Sequence, residues 1–311
     1  MNYFTTKQTA GLLGYNDESY IRKLILSGKL NAKKIGTQWL ISEEAASQYK
    51  VKSNIKIRYR VLFSLNQELR SLADKILDKP QNAVGPKDAF STFAIGKGYK
   101  THAAILSLAG QGFGEDAAIL CRTLFDLLIN LLYILNDKTD DRAYRYFRYD
   151  WVLMKKMFNY ILTKSEIMKK VKERINTPKP NDATIEDIET NYKLVMQKYN
   201  YKDSGWSDKS LFDMAKEVGR IDAYNTIYRL QCQLDHNASR SMNEYTKQSE
   251  NGITYNIGQS ENWVEESLVI AFDFYYHILI AFDSHFKTGF DTKLLEVENR
   301  YVTELSAINE K

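Results

Sequence analysis

Proline is scarce in this chain, four residues in 311, and glycine is modest at fifteen. That composition excludes a collagenous or linker-dominated chain and favours long uninterrupted helices. Cysteine occurs only twice, at Cys121 and Cys232, each within an apolar helical pattern and far from any paired spacing. A disulfide framework is thereby excluded, and the two read as buried free thiols of a reducing compartment. Of the four histidines, His102, His277 and His285 show no ligand spacing with each other or with the cysteines, so no metal site and no cofactor is expected. No apolar run reaches the roughly eighteen residues that a membrane span needs. The longest candidate, Leu124–Leu135, is interrupted by Asp126 and Asn130. With no basic-then-apolar leader either, the expected location is cytoplasmic. Internal repeats, low-complexity tracts and strand-like alternation beyond a few residues are also missing.

What is present is an ordinary 44% of hydrophobic residues, enough for a sizeable core, over a length that fits one small and one large domain. Charge is unevenly spread. Residues 1–60 hold eleven Lys and Arg against four acids, a balance of +7, whereas the whole chain is +4, so the remainder sums to −3. A basic segment of this kind suits neutralisation of phosphate.

The first fifty residues have the most readable local chemistry. Thr6 is the expected N-cap of a helix over Lys7–Leu13, closed by Gly14. A second helix from about Asp17 to Ser27 carries Tyr20, Ile21, Leu24 and Ile25 on one stripe and ends at Gly28. Lys33–Ile35 and Trp39–Ile41 flank a Gly36-Thr37-Gln38 hairpin loop, and Ser42 caps a third helix whose first turn holds Glu43 and Glu44. The pattern predicts a small winged helix-turn-helix domain over residues 1–51.

On the strings Thr5-Thr6-Lys7-Gln8-Thr9-Ala10, Tyr20–Ile25, Gly28-Lys29-Leu30 and Lys33–Ile41, the segment resembles the excisionase and MerR-type DNA-binding domain. The resemblance implies duplex DNA as a partner. The second helix would enter the major groove with Ser19, Arg22 and Lys23, and the wing would grip with Lys33, Lys34, Thr37 and Gln38. The alternative is a protein-docking module whose lysines are merely solvated.

Residues 52–311 are expected as a large all-α bundle, so that the fold class is mainly α. Its first helix, Lys52–Lys79, is predicted as one long connector with Ile57, Val61, Leu62, Leu65, Leu69, Leu72 and Ile76 at helical steps. A glycine break at Gly96 and Gly98 is expected to separate Asp88–Ala94 from a helix over Tyr99–Ala109. The string Gly96–Thr101 lacks the spacing of a phosphate loop. Glu115–Asn136 is the most apolar helix, with Arg122 and Asp126 one turn apart on a single face. They read as a structural salt bridge or, if buried, as part of a polar pocket. Arg142–Leu162 interleaves tyrosine with arginine, which suits either single-stranded nucleic acid or ordinary helix packing. A helix over Ser165–Arg174 and a loop over Asn176–Asn181 follow. A helix from about Ile221 through Ser239 places Arg229, His236 and Arg240 on one stripe, and Thr246–Glu261 is expected as a polar loop.

Two further resemblances concern this body. Glu115–Asp126 with Tyr228 and His236-Asn237-Ala238-Ser239 resembles a bacterial helical family of unknown function. Arg229-x6-His236 is similar to the arginine–histidine signature of HEPN domains, helical RNases of toxin–antitoxin and antiviral defence systems, although Leu230 stands where those motifs carry a polar residue. That resemblance implies metal-independent RNA cleavage at a site composed across a homodimer. His236 would act as acid or base, and Arg229, Arg240 or Arg122 would stabilise the phosphorane beside Asp126. The alternatives are that His236 is a hydrogen-bonded core histidine, and that the chain is a non-enzymatic DNA-binding regulator with a dimerising or partner-sensing bundle.

Overall fold

The computed structural model describes residues 2–80, 83–163, 183–202, 205–236, 239–249 and 252–309. Among these the fold is mainly α. The chain divides into two compact units, one formed by Met1–Gln81, Ala94–Leu128 and Asn225–Lys311, the other by Asn82–Phe93 and Ile129–Tyr224. Residues 1–51 lie within the first unit.

That unit begins with strand β1 (Tyr3–Thr5), helices α1 (Thr6–Leu13) and α2 (Glu18–Leu26), strands β2 (Lys33–Ile35) and β3 (Gln38–Ser42), and helix α3 (Glu43–Arg58). The N-cap of α1 is Thr5, not Thr6. Gln8, three residues later, accepts from the Thr5 backbone N–H at 2.9 Å while Thr5 Oγ1 accepts from Gln8 N at 3.3 Å, a reciprocal capping box. Thr6 instead donates its hydroxyl to Glu18 Oε2 at 2.9 Å. Gly14 ends α1 in the left-handed region at φ 77°, as its position predicts. The sheet has three strands, not two, in the order β1-β3-β2. All pairs are antiparallel, with Phe4 opposite Ile41 and Lys34 opposite Trp39. Ala10, Ile21, Leu24, Ile25, Leu30, Ile41 and Ala46 form the core of this segment.

The expected single helix over residues 52–79 is two. Helix α3, capped by Ser42, runs on to Arg58, and α4 spans Arg60–Leu77. The break falls at Tyr59, a buried residue next to Arg58, which pairs with Glu261 at 2.6 Å. Leu62, Leu65, Leu69, Leu72 and Ile76 form the buried stripe of α4, as their spacing predicts, whereas Ile57 of the same expected stripe lies on α3 and is exposed.

Helix α5 (Pro86–Ala109) runs unbroken through Gly96 and Gly98. The Tyr275 ring lies 3.0 Å from where a Cβ on Gly98 would stand, so that glycine admits a close helix neighbour and does not end a helix. Helix α6 (Gly114–Leu135) follows.

The second unit carries α7 (Asp141–Arg148), α8 (Asp150–Thr163), α9 (Ile185–Tyr199) and α10 (Leu211–Glu217). The tyrosine- and arginine-rich helix expected over 142–162 is therefore split at Tyr149. Tyr146, Arg145 and Arg142 are engaged in packing: Tyr146 lies edge-on to Phe90 and Trp206 at 4.6 and 5.3 Å. Arg145 Nε donates to Trp206 O at 2.8 Å, and Arg142 reaches Tyr133 O and Glu217 at 2.8 and 2.7 Å. The expected helix Ser165–Arg174 and loop Asn176–Asn181 lie outside the described residues.

The helix expected from Ile221 through Ser239 is a composite that begins in the second unit and passes into the first at Asn225. A three-residue turn α11 (Ile221–Ala223) leads into a π-helix over Tyr224–Tyr228, and α12 covers Arg229–Asp235. His236 is the C-cap. After a 3-10 turn at Ser239–Ser241 and α13 (Met242–Tyr245), the expected polar loop holds an antiparallel hairpin of β4 (Thr246–Ser249) and β5 (Gly252–Tyr255). Helices α14 (Val264–Phe286) and α15 (Asp291–Asn309) close the chain. Helix α14 is the apolar spine, burying Leu268, Phe272, Phe274, Tyr275, Ile278 and Phe282, with Tyr301 stacked on Phe272 at 3.9 Å.

Helices α6 and α14 are long and apolar enough to cross a membrane by length and composition, contrary to expectation. Burial within the protein covers 56% and 72% of their most apolar windows. Burial of that extent belongs to core helices.

Candidate functional site

Helix α2 is capped by Asp17, whose carboxylate accepts from Ser19 N at 2.8 Å and from the Ser19 hydroxyl. The fold buries Ile21, Leu24 and Ile25, so Ser19, Arg22 and Lys23 on the opposite side face out. Arg22 pairs with Glu18 one turn back at 2.9 Å, with both side chains well exposed. Such a pair is readily surrendered to a competing anion. On the hairpin Lys33, Lys34, Thr37 and Gln38 are all exposed, with the Lys34 ammonium 5.5 Å from the Trp39 ring centre. Gly36 at φ 59° makes the tight connection that presents them.

A second constellation lies in the α-helical part of the same unit. Arg122, on α6, forms its ion pair with Asp235 on α12 and donates from Nη2 to the Tyr228 hydroxyl at 3.2 Å. Its guanidinium carbon lies 5.2 Å from the Tyr228 ring centre, and that ring packs on Phe125 at 5.0 Å. Asp126, one turn from Arg122, is half-buried. Desolvation pushes its carboxyl up to about 6, against the opposing pull of Arg122 and the Tyr228 hydroxyl. Burial likewise pushes Tyr228 up to about 12.

Tyr228 and Asp235 both reach Arg122, so the stripe between them, which carries Gln231, faces α6. Gln231 is fully buried, and neither its amide nitrogen nor its amide oxygen has a hydrogen-bond partner. Nε of Arg122 is also buried without one. Sequence reasoning missed Asp235 and Gln231. The signal was available in the i, i+3, i+7 spacing of Tyr228, Gln231 and Asp235.

Arg122 and His236 both approach Asp235 Oδ2, whereas Arg229 does not join them. Arg229 is exposed and borders a separate cavity with Trp263 and Glu266. The His236 side chain is 67% exposed, with Nε2 3.8 Å from Asp235 Oδ2. That exposure overturns the alternative of a buried core histidine. Because α12 ends at Asp235, Arg240 leaves the stripe shared by the other two and falls in the 3-10 turn; its side chain lies outside the described residues, as do Asn237 and Ala238.

A family model described as "Family of unknown function (DUF5677)" matches residues 88–253, more than half of the chain. The chain belongs to the DUF5677 family. The DUF5677 match contains Arg122, Asp126, Tyr228, Gln231 and Asp235, together with both segments that resemble a helical family of unknown function. It does not extend to α2 or the β2–β3 hairpin. No curated protein and no solved structure matches the chain.

Proposed function

We propose that residues 1–51 are a winged helix-turn-helix that binds duplex DNA, and that the helical body makes the chain a DNA-binding regulator. One observation carries the reading. Ser19, Arg22, Lys23, Lys33, Lys34, Thr37 and Gln38 are all exposed while Ile21, Leu24, Ile25 and Ile41 lie buried beneath them. In the reading, α2 supplies base-edge contacts from Arg22 and Lys23, and the hairpin lysines hold phosphate. The separation of Arg229 from the Arg122–Asp235–His236 group within one chain favours a regulator over a complete catalytic centre. Selection of duplexes from a random library by the full chain tests it. Wild type enriches a sequence, and Arg22→Ala with Lys23→Ala abolishes the enrichment while the circular dichroism spectrum is kept. Failure of wild type to enrich any duplex contradicts the reading.

The exposed His236 beside Asp235 favours a second reading, a metal-independent RNase completed by a second copy. In that mechanism His236 takes the proton of a 2′-hydroxyl or returns one to the leaving oxygen, and an arginine neutralises the phosphorane. His236→Ala would then abolish RNA cleavage or growth arrest and leave DNA binding intact. Indifference to the substitution removes this reading.

A further inference from the structure

A cavity of about 560 Å³ opens between the segment Asn225–Gln233 and α14, bordered by Arg229, Leu230, Gln231, Trp263, Glu266 and Ile270. Trp263, Glu266 and Ile270 are spaced by three and four residues, so they form one face along the start of α14. Facing them, the π-helix over Tyr224–Tyr228 adds a residue to one turn and shifts the phase at which α12 presents Arg229 and Leu230. Trp263 itself holds a left-handed backbone, φ 60°, uncommon for a residue of its size. Irregular backbone of both kinds concentrates at functional sites.

The chemistry of the wall is mixed in a specific way. Leu230, Ile270 and the Trp263 ring supply apolar surface. Arg229 and Glu266 contribute one positive and one negative group, and among the described residues neither is engaged by an opposite charge. Gln231 borders the cavity fully buried, with a donor and an acceptor both unsatisfied. A buried amide left this way is costly unless something else completes it. An apolar ligand alone would leave both charges and the amide unanswered. A simple anion would be repelled by Glu266, and a simple cation by Arg229.

We infer that this cavity binds an apolar α-amino acid. Its carboxylate meets Arg229, its ammonium meets Glu266, and its side chain lies against Trp263, Leu230 and Ile270. The site is independent of the DNA-binding reading, because none of its residues lies in residues 1–51.

The test is isothermal titration calorimetry of the full chain with leucine, methionine and phenylalanine. It is accompanied by 4-methylpentanoate, which lacks the amine, and 3-methylbutylamine, which lacks the carboxylate. At least one amino acid is expected to bind, and neither analogue to bind comparably. Arg229→Gln and Glu266→Gln, both at exposed positions where folding is preserved, are each expected to weaken binding about tenfold or more, the worth of one charge-assisted contact. The inference is overturned if none of the three amino acids binds at about 10 mM, well beyond an ordinary effector affinity. It is equally overturned if either charge-removing variant binds as tightly as wild type, or if one of the analogues binds as well as the amino acid.

Discussion

His102 offers a quantitative test of how the helical core is held. It is fully buried on α5, with Nε2 2.8 Å from Asn66 Oδ1. The Asn66 amide nitrogen is already committed to Leu62 O and Leu268 O at 2.9 and 3.1 Å, so the imidazole Nε2–H must be the donor. Its ring stacks on Tyr275 at 4.9 Å, and its Nδ1 has no partner to receive a second proton. Burial, and secondarily the Arg70 charge, pushes the His102 pKa down to about 3. A folded pKa below the unfolded value of about 6.5 means that the unfolded chain binds the extra proton in between. Stability from this residue is therefore full above about pH 6.5 and falls as the medium acidifies, by roughly 1.4 kcal/mol per unit. Between pH 6.5 and 5 that is about 2 kcal/mol.

Asp126 acts with the opposite sign. Its carboxyl, raised to about 6, binds a proton in the fold before the unfolded chain does, so its contribution improves as pH falls below 6. The two slopes nearly cancel in wild type, and the His102 share must be read by difference. His102→Gln keeps a donor toward Asn66 and removes the titration. Urea unfolding followed by circular dichroism at pH 6.5 and 5 should show the gap between wild type and variant narrowing by about 2 kcal/mol, or reversing, as the pH falls. A gap that stays constant within about 0.5 kcal/mol, an ordinary surface-mutation scatter, would mean that His102 protonates freely and that the buried-imidazole account is wrong.

Two further substitutions probe the packing and the polar cluster. Gly98→Ala should stabilise by roughly 0.5–1 kcal/mol if helix propensity alone mattered. The Tyr275 ring 3.0 Å from the new Cβ predicts instead a loss of about 1–3 kcal/mol in urea denaturation. Arg122→Met strands Asp235 and removes a donor to Tyr228, and is expected to cost about 1–3 kcal/mol given the partial exposure of the pair. It should also drive the Asp126 carboxyl further up, because Arg122 is the largest influence holding it down. Carboxyl-carbon NMR titration checks the shift, and an unmoved Asp126 would dissociate the two residues.

The parts of the fold that were legible in the sequence are those decided locally. Gly14 could close α1 because only glycine enters the left-handed region without cost, and the leucine stripe of α4 was visible at its three- and four-residue steps. The misreadings share one cause, contacts from distant sequence. Gly98 looks like a helix breaker until Tyr275 is seen beside it. The kink at Tyr59 follows a residue tethered to Glu261, and β1 is only three residues long, defined by its pairing with β3. In the candidate site, Arg122 and Asp126 were visible as polar exceptions in an apolar helix. The true counter-ion, Asp235, lies 113 residues away; its i, i+3, i+7 spacing with Tyr228 and Gln231 marks a polar stripe, but not which distant helix that stripe meets. The stripe that seemed to align Arg229, His236 and Arg240 is cut short because α12 ends at Asp235, a stop that no glycine or proline marks in the sequence.

The most direct test of the central claim is the salt dependence of duplex affinity for the full chain, compared with Lys33→Ala and Lys34→Ala together. Each phosphate neutralised contributes about −0.9 to the slope of log affinity against log salt. Two hairpin lysines that grip the backbone should therefore account for a change of about 2 in that slope. A flatter slope in the double variant, with its fold intact, is the predicted result. Wild-type binding that ignores salt, or a double variant with the wild-type slope, would contradict the assignment of the exposed basic face to DNA.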